Sequence, residues 1–276
     1  MAEGILYVVG TPIGNLDDMT LRARRILQEV DLIAAEDTRH TRKLLSHFDI
    51  HTPMTSYFEH NKKEKGGYLI SLLQQGKSVA LVSDAGMPGI SDPGEDVVKE
   101  AVRAGLKVVP IPGPSASLAA LVVSGLPTAR FVFEGFLPRD KKERKERLSL
   151  LCGELRTTIL YESPYRLIET LEELLEYVGD RPAAVAREIT KHYEEIIRGP
   201  LGDLILYFKE HPPKGEIALV LAGAQEAQAE FPGLGQIKEE INRLVAAGMM
   251  KKEAVKEVAR RYGMPKSEVY KISLES

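Results

Sequence analysis

The chain has 276 residues, of which 43% are hydrophobic and 28% are charged, and its formal net charge is −3. Such a composition is ordinary for a globular protein that buries a sizeable core, and the length predicts two domains and an appendage. One cysteine, Cys152, excludes an internal disulfide and a cysteine-cluster zinc site, and its apolar neighbours predict that it is buried. The six histidines show no HExxH spacing, so no metal is predicted. The apolar runs are shorter than a membrane span and the first residues lack a signal-peptide pattern, which predicts a cytoplasmic protein without a membrane partner.

The charge is unevenly distributed along the chain. Residues 238–276 hold nine Lys/Arg and six Glu, a balance of +3, so residues 1–237 carry −6. An acidic body with a basic tail is typical of a protein with a polyanionic partner, although a solvated helix face has the same composition.

The first predicted strand, residues 5–9, is a continuous apolar run that ends at a tight loop, Gly-Thr-Pro-Ile-Gly-Asn, over residues 10–15. This loop is neither a GxGxxG motif nor a P-loop, so NAD and ATP are discounted as ligands.

The next predicted strand, residues 31–35, runs into a dense set of ionisable groups over residues 36–43. Glu36 and Asp37 offer a carboxylate base, and Arg39 and Arg42 offer phosphate contacts. The alternative is an ordinary helix start that is capped by Asp37 or Thr38, with the arginines on the exposed face.

Residues 56–61 mix aromatic side chains, an acid, a histidine and an amide just before the lysine-rich residues 62–65. Aromatic and basic side chains in one segment are what contacts with single-stranded RNA require, for stacking on bases and for pairing with phosphates. We therefore expect Tyr57, His60 and Asn61 to contact RNA, while an ordinary loop remains the alternative.

A strand predicted over residues 79–82 feeds the most informative stretch of the chain, residues 83–94. Its three glycines and two prolines shape a backbone cradle at the edge where open α/β sheets bind ligands. It contains Asp84 and Asp92 but no Lys or Arg, which favours a ligand with hydroxyls, an ammonium or a sulfonium over a phosphate. The alternative is a structural turn whose aspartates cap the following helix.

A third strand-end loop follows the predicted strand 107–111, and its Ser115 and Ser117 lie at the start of a helix, where hydroxyls cap N–H groups or contact a ligand. Strand character restarts at residue 131, and the basic run 139–147 reads as a solvated helix start or an RNA contact. Further strands and helices to residue 221 predict a second α/β domain with some antiparallel pairing.

The predicted fold class is therefore α/β, with an N-terminal α/β domain over residues 1–125, a C-terminal α/β domain over residues 126–224, and a linker with a small basic helical domain over residues 225–276. Two helices around the turn at residues 262–265 give the tail a helix-turn-helix layout, and a helical cap that packs within the protein is equally consistent.

Four motifs in order, over residues 10–15, 36–39, 83–94 and 112–116, together resemble the tetrapyrrole methylase superfamily, and within it the subfamily that methylates small-subunit ribosomal RNA. The similarity spans roughly residues 4–223, and the basic tail resembles the small C-terminal domain of that subfamily. The resemblance implies a cofactor cleft between the two α/β domains that binds S-adenosylmethionine. Corrin-ring methylases have Gly-Asp-Pro where this chain has Asp-Ala-Gly-Met-Pro over residues 84–88, a departure that keeps the acceptor. The implied cofactor residues are Thr11, Pro12, Ser83, Asp84, Ala85, Gly86, Met87, Ile90, Ser91, Ser115, Ala116, Gly135, Phe136, Tyr161, Arg187, Ala218 and Leu219.

The resemblance further implies 2′-O-methylation of a cytidine of the C1402 class in 16S rRNA near the decoding centre, in the assembled small subunit, by a homodimer. Glu36 and Asp37 with Arg39 are the catalytic hypothesis, chosen over Glu59 and His60 for their position at a strand end. Arg39 and Arg42 are also expected to contact the RNA. Two rival functions remain: a small-molecule methylase of the same superfamily that acts on a corrin-type ring, and a ligand-sensing regulator that binds nucleic acid.

Overall fold

A computed structural model describes residues 4–225, 234–262 and 264–274. The chain divides into two compact units, Met1–Ala224 and Gln225–Ser276, which are described separately. The division of the first unit at residues 125 and 126 stays a prediction.

The first sheet is entirely parallel and has the strand order β3-β2-β4-β1-β5. Its strands are β1 (Ile5–Val9), β2 (Leu32–Ala35), β3 (Met54–Ser56), β4 (Val79–Val82) and β5 (Lys107–Ile111). Helices α1 (Leu21–Glu29) and α2 (Thr38–His47) pack on one face, while α3 (Lys62–Gln74) and α4 (Glu95–Arg103) pack on the other. Burial on both faces explains why β4 is a continuous apolar run with every residue buried.

The second sheet is mixed and has the order β6-β7-β10-β8-β9, in which only the pair β6 and β7 is parallel. Its strands are β6 (Phe131–Phe136), β7 (Thr157–Glu162), β8 (Pro182–Arg187), β9 (Glu195–Pro200) and β10 (Ile217–Leu221). Helices α6 (Lys141–Cys152), α7 (Leu167–Val178) and α8 (Leu201–Glu210) cover one face. The two-sheet α/β architecture confirms the predicted fold class.

Helix α5 (Ala116–Val123) joins the two sheets, because it follows β5 of the first sheet and packs on the second. Its Ala120 and Leu121 are buried against Ile159, Ala184 and Val220. The loop between β5 and α5 therefore crosses from one sheet to the other, and it brings the carboxyl edge of the first sheet next to the open face of the second.

Two side chains of α6 differ from the sequence interpretation. Arg144, part of the basic run, is buried, and it donates to Glu173 at 2.6 Å and to Thr170 Oγ1 at 2.7 Å. That arginine supports the packing of α6 on α7 and is not available to RNA. Cys152 is exposed at the last position of the helix, which corrects the prediction of a buried residue.

The second unit contains the helices α9 (Leu234–Ala246), α10 (Lys251–Arg261) and α11 (Lys266–Ile272). Ile237, Ile241, Val255, Val258 and Val269 form its core. The predicted turn includes Gly263, and the predicted linker includes residues 226–233; both lie outside the described residues. Within the described ranges, the helices are all too short or too polar to cross a bilayer.

Candidate functional site

The loops that follow β1, β4 and β5 meet at the carboxyl edge of the first sheet. The Thr11 N–H donates to the Gly86 carbonyl at 2.9 Å, and the Gly86 N–H donates back to Thr11 at 3.1 Å. A Cβ added to Gly10 would lie 2.8 Å from Gly113 Cα, closer than real Cβ contacts come. The third loop therefore approaches the first backbone to backbone, as only glycine permits. Three loops that are distant in sequence form one continuous floor.

This floor and the second sheet enclose a cavity of about 380 Å³. Its volume falls in the range of small-molecule sites. Ten of the predicted cofactor residues line it: Ala85, Gly86, Met87, Ile90, Ser91, Ser115, Ala116, Phe136, Tyr161 and Ala218. Ten further lining residues are not among the implied cofactor residues, although the sequence analysis names Asp92 as an acceptor in the cradle: Ile13, Asp92, Glu162, Ser163, Pro164, Ala186, Ile189, Gly215, Glu216 and Ile217.

Five other predicted cofactor residues lie in the framework next to the cavity. Thr11 and Ser83 are buried, and the Thr11 hydroxyl donates to the Ser83 carbonyl at 3.3 Å. Pro12 follows Thr11 in the floor, and Asp84 is the second residue of the cradle. Gly135 lies against the cradle from the opposite side, where a Cβ would be 3.3 Å from Ser91 Oγ. These residues shape the cavity rather than line it.

Arg187 and Leu219 do not face the cavity, which corrects two cofactor predictions. Successive side chains of a strand point to opposite faces of the sheet. Ala186 and Ala218 lie on the cavity side, whereas the next residues, Arg187 and Leu219, point to the face that the helices cover. Leu219 is buried there, and Arg187 donates to Glu195 at 2.8 Å. At both predicted strand ends a neighbouring residue, Ala186 or Ala218, lines the cavity instead.

An aromatic wall closes the cavity on the side of β6 and β7. The Tyr161 ring makes edge contacts with Phe133, at 5.0 Å between centroids, and with Phe136, at 5.7 Å. Both rings reach Tyr161 because a bulge between Phe133 and Gly135 shifts the register of β6. The Tyr161 hydroxyl accepts from the Ser117 N–H at 3.1 Å, so the wall also satisfies a donor in the first turn of α5.

The carboxylates of Glu36, Asp84 and Asp92 lie close together, and the last two belong to the cradle. The Asp37 N–H donates to Asp84 at 3.1 Å, and the Asp84 N–H donates to Glu36 at 3.3 Å. Burial raises the pKa of Glu36 above its ordinary value, and nearby acids raise it further. Burial, with the charge of Glu36, raises the pKa of Asp92 to about 6. Of these three, Asp92 is the one that lines the cavity.

Asp37 and Arg39 are engaged with each other at the start of α2. The Asp37 carboxylate accepts from the Arg39 N–H at 2.8 Å and from its guanidinium at 2.9 Å. Hydrogen bonds from Arg39 lower the pKa of Asp37 to about 2, so this carboxylate is a weak base. The geometry is that of a helix cap, the alternative considered from sequence.

The residues that are predicted to contact RNA differ in their solvent exposure. Arg42 and His60 are exposed, and the Arg39 side chain is 88% exposed. Asn61 is engaged internally, since its amide accepts from the Phe58 N–H at 2.8 Å and donates to Ser56 at 3.3 Å.

Tyr57 is only 1% exposed, which corrects the prediction that it contacts RNA. It packs with Leu69 and Val97 in the core beneath α3 and α4. A buried ring has no free face on which a base can stack.

A family profile, curated relatives and solved structures all match this chain. The family profile described as Tetrapyrrole (Corrin/Porphyrin) Methylases matches residues 5–205. A Synechocystis protein named Ribosomal RNA small subunit methyltransferase I is 50% identical over 99% of this chain and 98% of its own length. A Halalkalibacterium halodurans protein of the same name is 47% identical over 98% of this chain and 94% of its own length. The crystal structure of uroporphyrin-III-C-methyltransferase from Thermus thermophilus has the same fold, with a TM-score of 0.57, 22% identity, and coverage of 79% of this chain and 94% of that chain.

Proposed function

We propose a donor and a substrate for this chain, which belongs to the tetrapyrrole (corrin/porphyrin) methylase family. It transfers the methyl group of S-adenosylmethionine to the 2′-oxygen of a cytidine in 16S rRNA. The observation that carries the substrate is the pair of relatives, 50% and 47% identical over nearly the whole chain, whose names specify small-subunit ribosomal RNA. The names of these relatives specify neither the methylated atom nor the nucleotide, so the 2′-oxygen and the C1402-class cytidine are proposed in addition.

The chemistry of the cavity fits this donor. Its lining includes the acids Asp92, Glu162 and Glu216 and, among the described residues, no Lys or Arg. A phosphate-bearing ligand would need cationic partners, whereas a sulfonium and an ammonium are compatible with acids and bare carbonyls. Gly86, Met87, Ser115, Tyr161 and Ala218 would hold the donor. When bound, S-adenosylmethionine supplies an electrophilic methyl group.

The protein then has two tasks, to place the ribose in line with that methyl group and to accept the proton of the 2′-hydroxyl. We assign the second task to Asp92, since it combines a raised pKa with a place in the cavity wall. Glu36, which belongs to the catalytic hypothesis from sequence, supports Asp92 because its charge raises the pKa of Asp92. Asp37 holds the start of α2, and Arg39 is left to contact RNA.

A transfer assay tests the proposal against both rival functions. The protein is incubated with methyl-labelled S-adenosylmethionine and naked 16S rRNA, assembled small subunits, or a corrin-type ring, and the label is mapped. Label on one ribose 2′-oxygen of the rRNA supports the proposal. Label on the ring alone identifies a small-molecule methylase. No transfer to any of the three substrates, together with binding to duplex DNA in a separate titration, identifies a regulator.

The assembled subunit, the homodimer and a cytoplasmic location belong to the same proposal. The exposed apolar residues Leu118 and Val122 of α5 offer a surface for a second copy. Sedimentation analysis that finds only monomers at micromolar concentration would remove the dimer from the proposal.

A further inference from the structure

Helices α1 and α2 carry an unusual share of the positive charge. Together they comprise 19 residues with six Lys/Arg and one Glu, a balance of +5. The whole chain has 37 Lys/Arg and 40 Asp/Glu, so the other 257 residues hold 31 basic and 39 acidic groups, a balance of −8. A short segment is therefore strongly basic within an otherwise acidic protein.

The two helices form one continuous surface. Both pack on the same face of the first sheet, where Ile26 and Leu27 of α1 share a core with Leu45 of α2. The Arg24 guanidinium lies 5.7 Å from the ring centroid of Phe48, the residue that caps the C-terminal end of α2. We call this the α1–α2 surface; its cations are Arg22, Arg24, Arg25, Arg39, Arg42 and Lys43, all of them exposed.

Few of these cations are neutralised by the protein itself. Arg39 pairs with Asp37 at 2.9 Å, and Arg25 approaches Glu29 at 4.0 Å. Within the described ranges, Arg22, Arg42 and Lys43 form no ion pair. By contrast, the basic run at the start of α6 includes Arg144 and Arg147, which pair with Glu173 and Glu134 at 2.6 Å each. Two of six cations are therefore paired in each set, but residues 139–147 contain three acids, whereas α1 and α2 contain one, so the α1–α2 surface keeps the larger net positive charge.

The surface begins at the site. Helix α2 starts at Thr38, directly after Glu36 and Asp37, and the Asp37 N–H is bonded to Asp84 of the cradle. A polyanion bound along α2 therefore approaches the cradle at Asp84, next to Ala85 of the cavity lining.

We propose that the α1–α2 surface binds the sugar–phosphate backbone of the substrate RNA on the approach to the target nucleotide. This inference rests on the proposed function. Five of the six cations are arginines, whose planar guanidinium groups pair with phosphate oxygens through two parallel hydrogen bonds. Backbone contacts position a nucleic acid without reading its sequence, so the surface supplies affinity and register while the cavity supplies the chemistry.

The test removes three of the cations that have no role in the site. In R22Q/R25Q/K43Q the fold should be kept, because all three side chains are exposed. The matched control, K141Q/K142Q/K145Q, removes the same charge from exposed lysines of α6. For each protein, the KM for assembled small subunits is measured against salt concentration, together with the Kd for S-adenosylmethionine.

We expect the KM of the α1–α2 variant to rise by about tenfold or more near physiological salt. The slope of log KM against log salt should fall by about 2 to 3, because each lost phosphate contact lowers that slope by a little under one. The Kd for S-adenosylmethionine and all values for the control should match the wild type. An unchanged KM and slope in the α1–α2 variant, or an equal loss in the control, overturns the inference. A wild-type protein that methylates no rRNA refutes the proposed function instead.

Discussion

The Asp37 N–H donates to the carboxylate of Asp84 across 3.1 Å, and this bond ties the end of β2 to the loop that follows β4. The two strands are neighbours in the sheet, with Ala35 paired to Val82, so the residues that follow them necessarily meet. Their meeting places Glu36 and Asp84 close to Asp92 and gives the cavity its acidic edge. Parallel pairing, rather than proximity in sequence, builds the reactive part of the site.

Asp92→Asn should slow methyl transfer, by about 10²- to 10⁴-fold if the carboxylate accepts the proton. In the wild type, the single-turnover rate should rise as the pH increases through about 6, where Asp92 loses its proton. The variant should lack this inflection. A variant that keeps the inflection at full rate would show that another group accepts the proton.

The same substitution should change the pH dependence of stability. The folded-state pKa of Asp92, about 6, is above the ordinary value of 3.8. Between these values the folded protein binds more protons than the unfolded chain, so its free energy of unfolding falls as the pH rises. Asp92→Asn should flatten this decline and raise Tm at neutral pH relative to the wild type. Thermal unfolding at pH 4, 5, 6 and 7 checks the sign, and equal slopes in both proteins would contradict it.

Asp37 offers a test that separates a helix cap from a catalytic acid. Asp37→Ala removes the cap of α2 and should lower the free energy of unfolding, because the Arg39 N–H loses its acceptor. Asp37→Ser retains a capping oxygen, and we expect it to restore both the stability and the transfer rate. If the serine variant is stable yet as inactive as an enzyme without its base, Asp37 returns to the catalytic set.

Gly113→Ala should disturb the floor of the cavity. The added Cβ would lie 2.9 Å from the backbone of Gly10, which cannot move without shifting the loop after β1. We expect a loss of about 1–3 kcal/mol in stability and a weaker affinity for S-adenosylmethionine. Gly153→Ala is the matched control, because its Cβ would meet nothing within 4 Å. Equal donor affinity in both variants would show that the close contact between the loops is dispensable.

The sequence predicted the fold well, because its strong signals are local. The strands Ile5–Val9 and Lys107–Ile111 were predicted with the bounds that the structure has, since each is a β-type run that ends at a glycine-bearing loop. The short strand β3 (Met54–Ser56) was not predicted, because three residues give no periodicity. The cradle is predicted from its own glycines, prolines and position after a strand, whereas Tyr161 is predicted only through the resemblance.

The sequence failed where the outcome depends on which way a side chain points. Arg187 and its neighbour Ala186 occupy one strand end, and only the pairing within the sheet decides which of them faces the cavity. Tyr57 lies beside lysines in sequence, yet it packs into the core, because helices α3 and α4 close over it. The raised pKa of Asp92 depends on burial and on Glu36, which is 56 residues away in the chain.

The central claim is that the cavity above the cradle binds the methyl donor, and calorimetric titration of S-adenosylmethionine tests it most directly. Ala85→Trp would fill the cavity from its rim, because Ala85 is exposed and lines it. Ala104→Trp places the same side chain at the exposed residue that caps the C-terminal end of α4, outside the lining. We predict saturable binding to the wild type and to Ala104→Trp, and no measurable heat of binding with Ala85→Trp. Undiminished binding to Ala85→Trp would place the donor elsewhere and contradict the account.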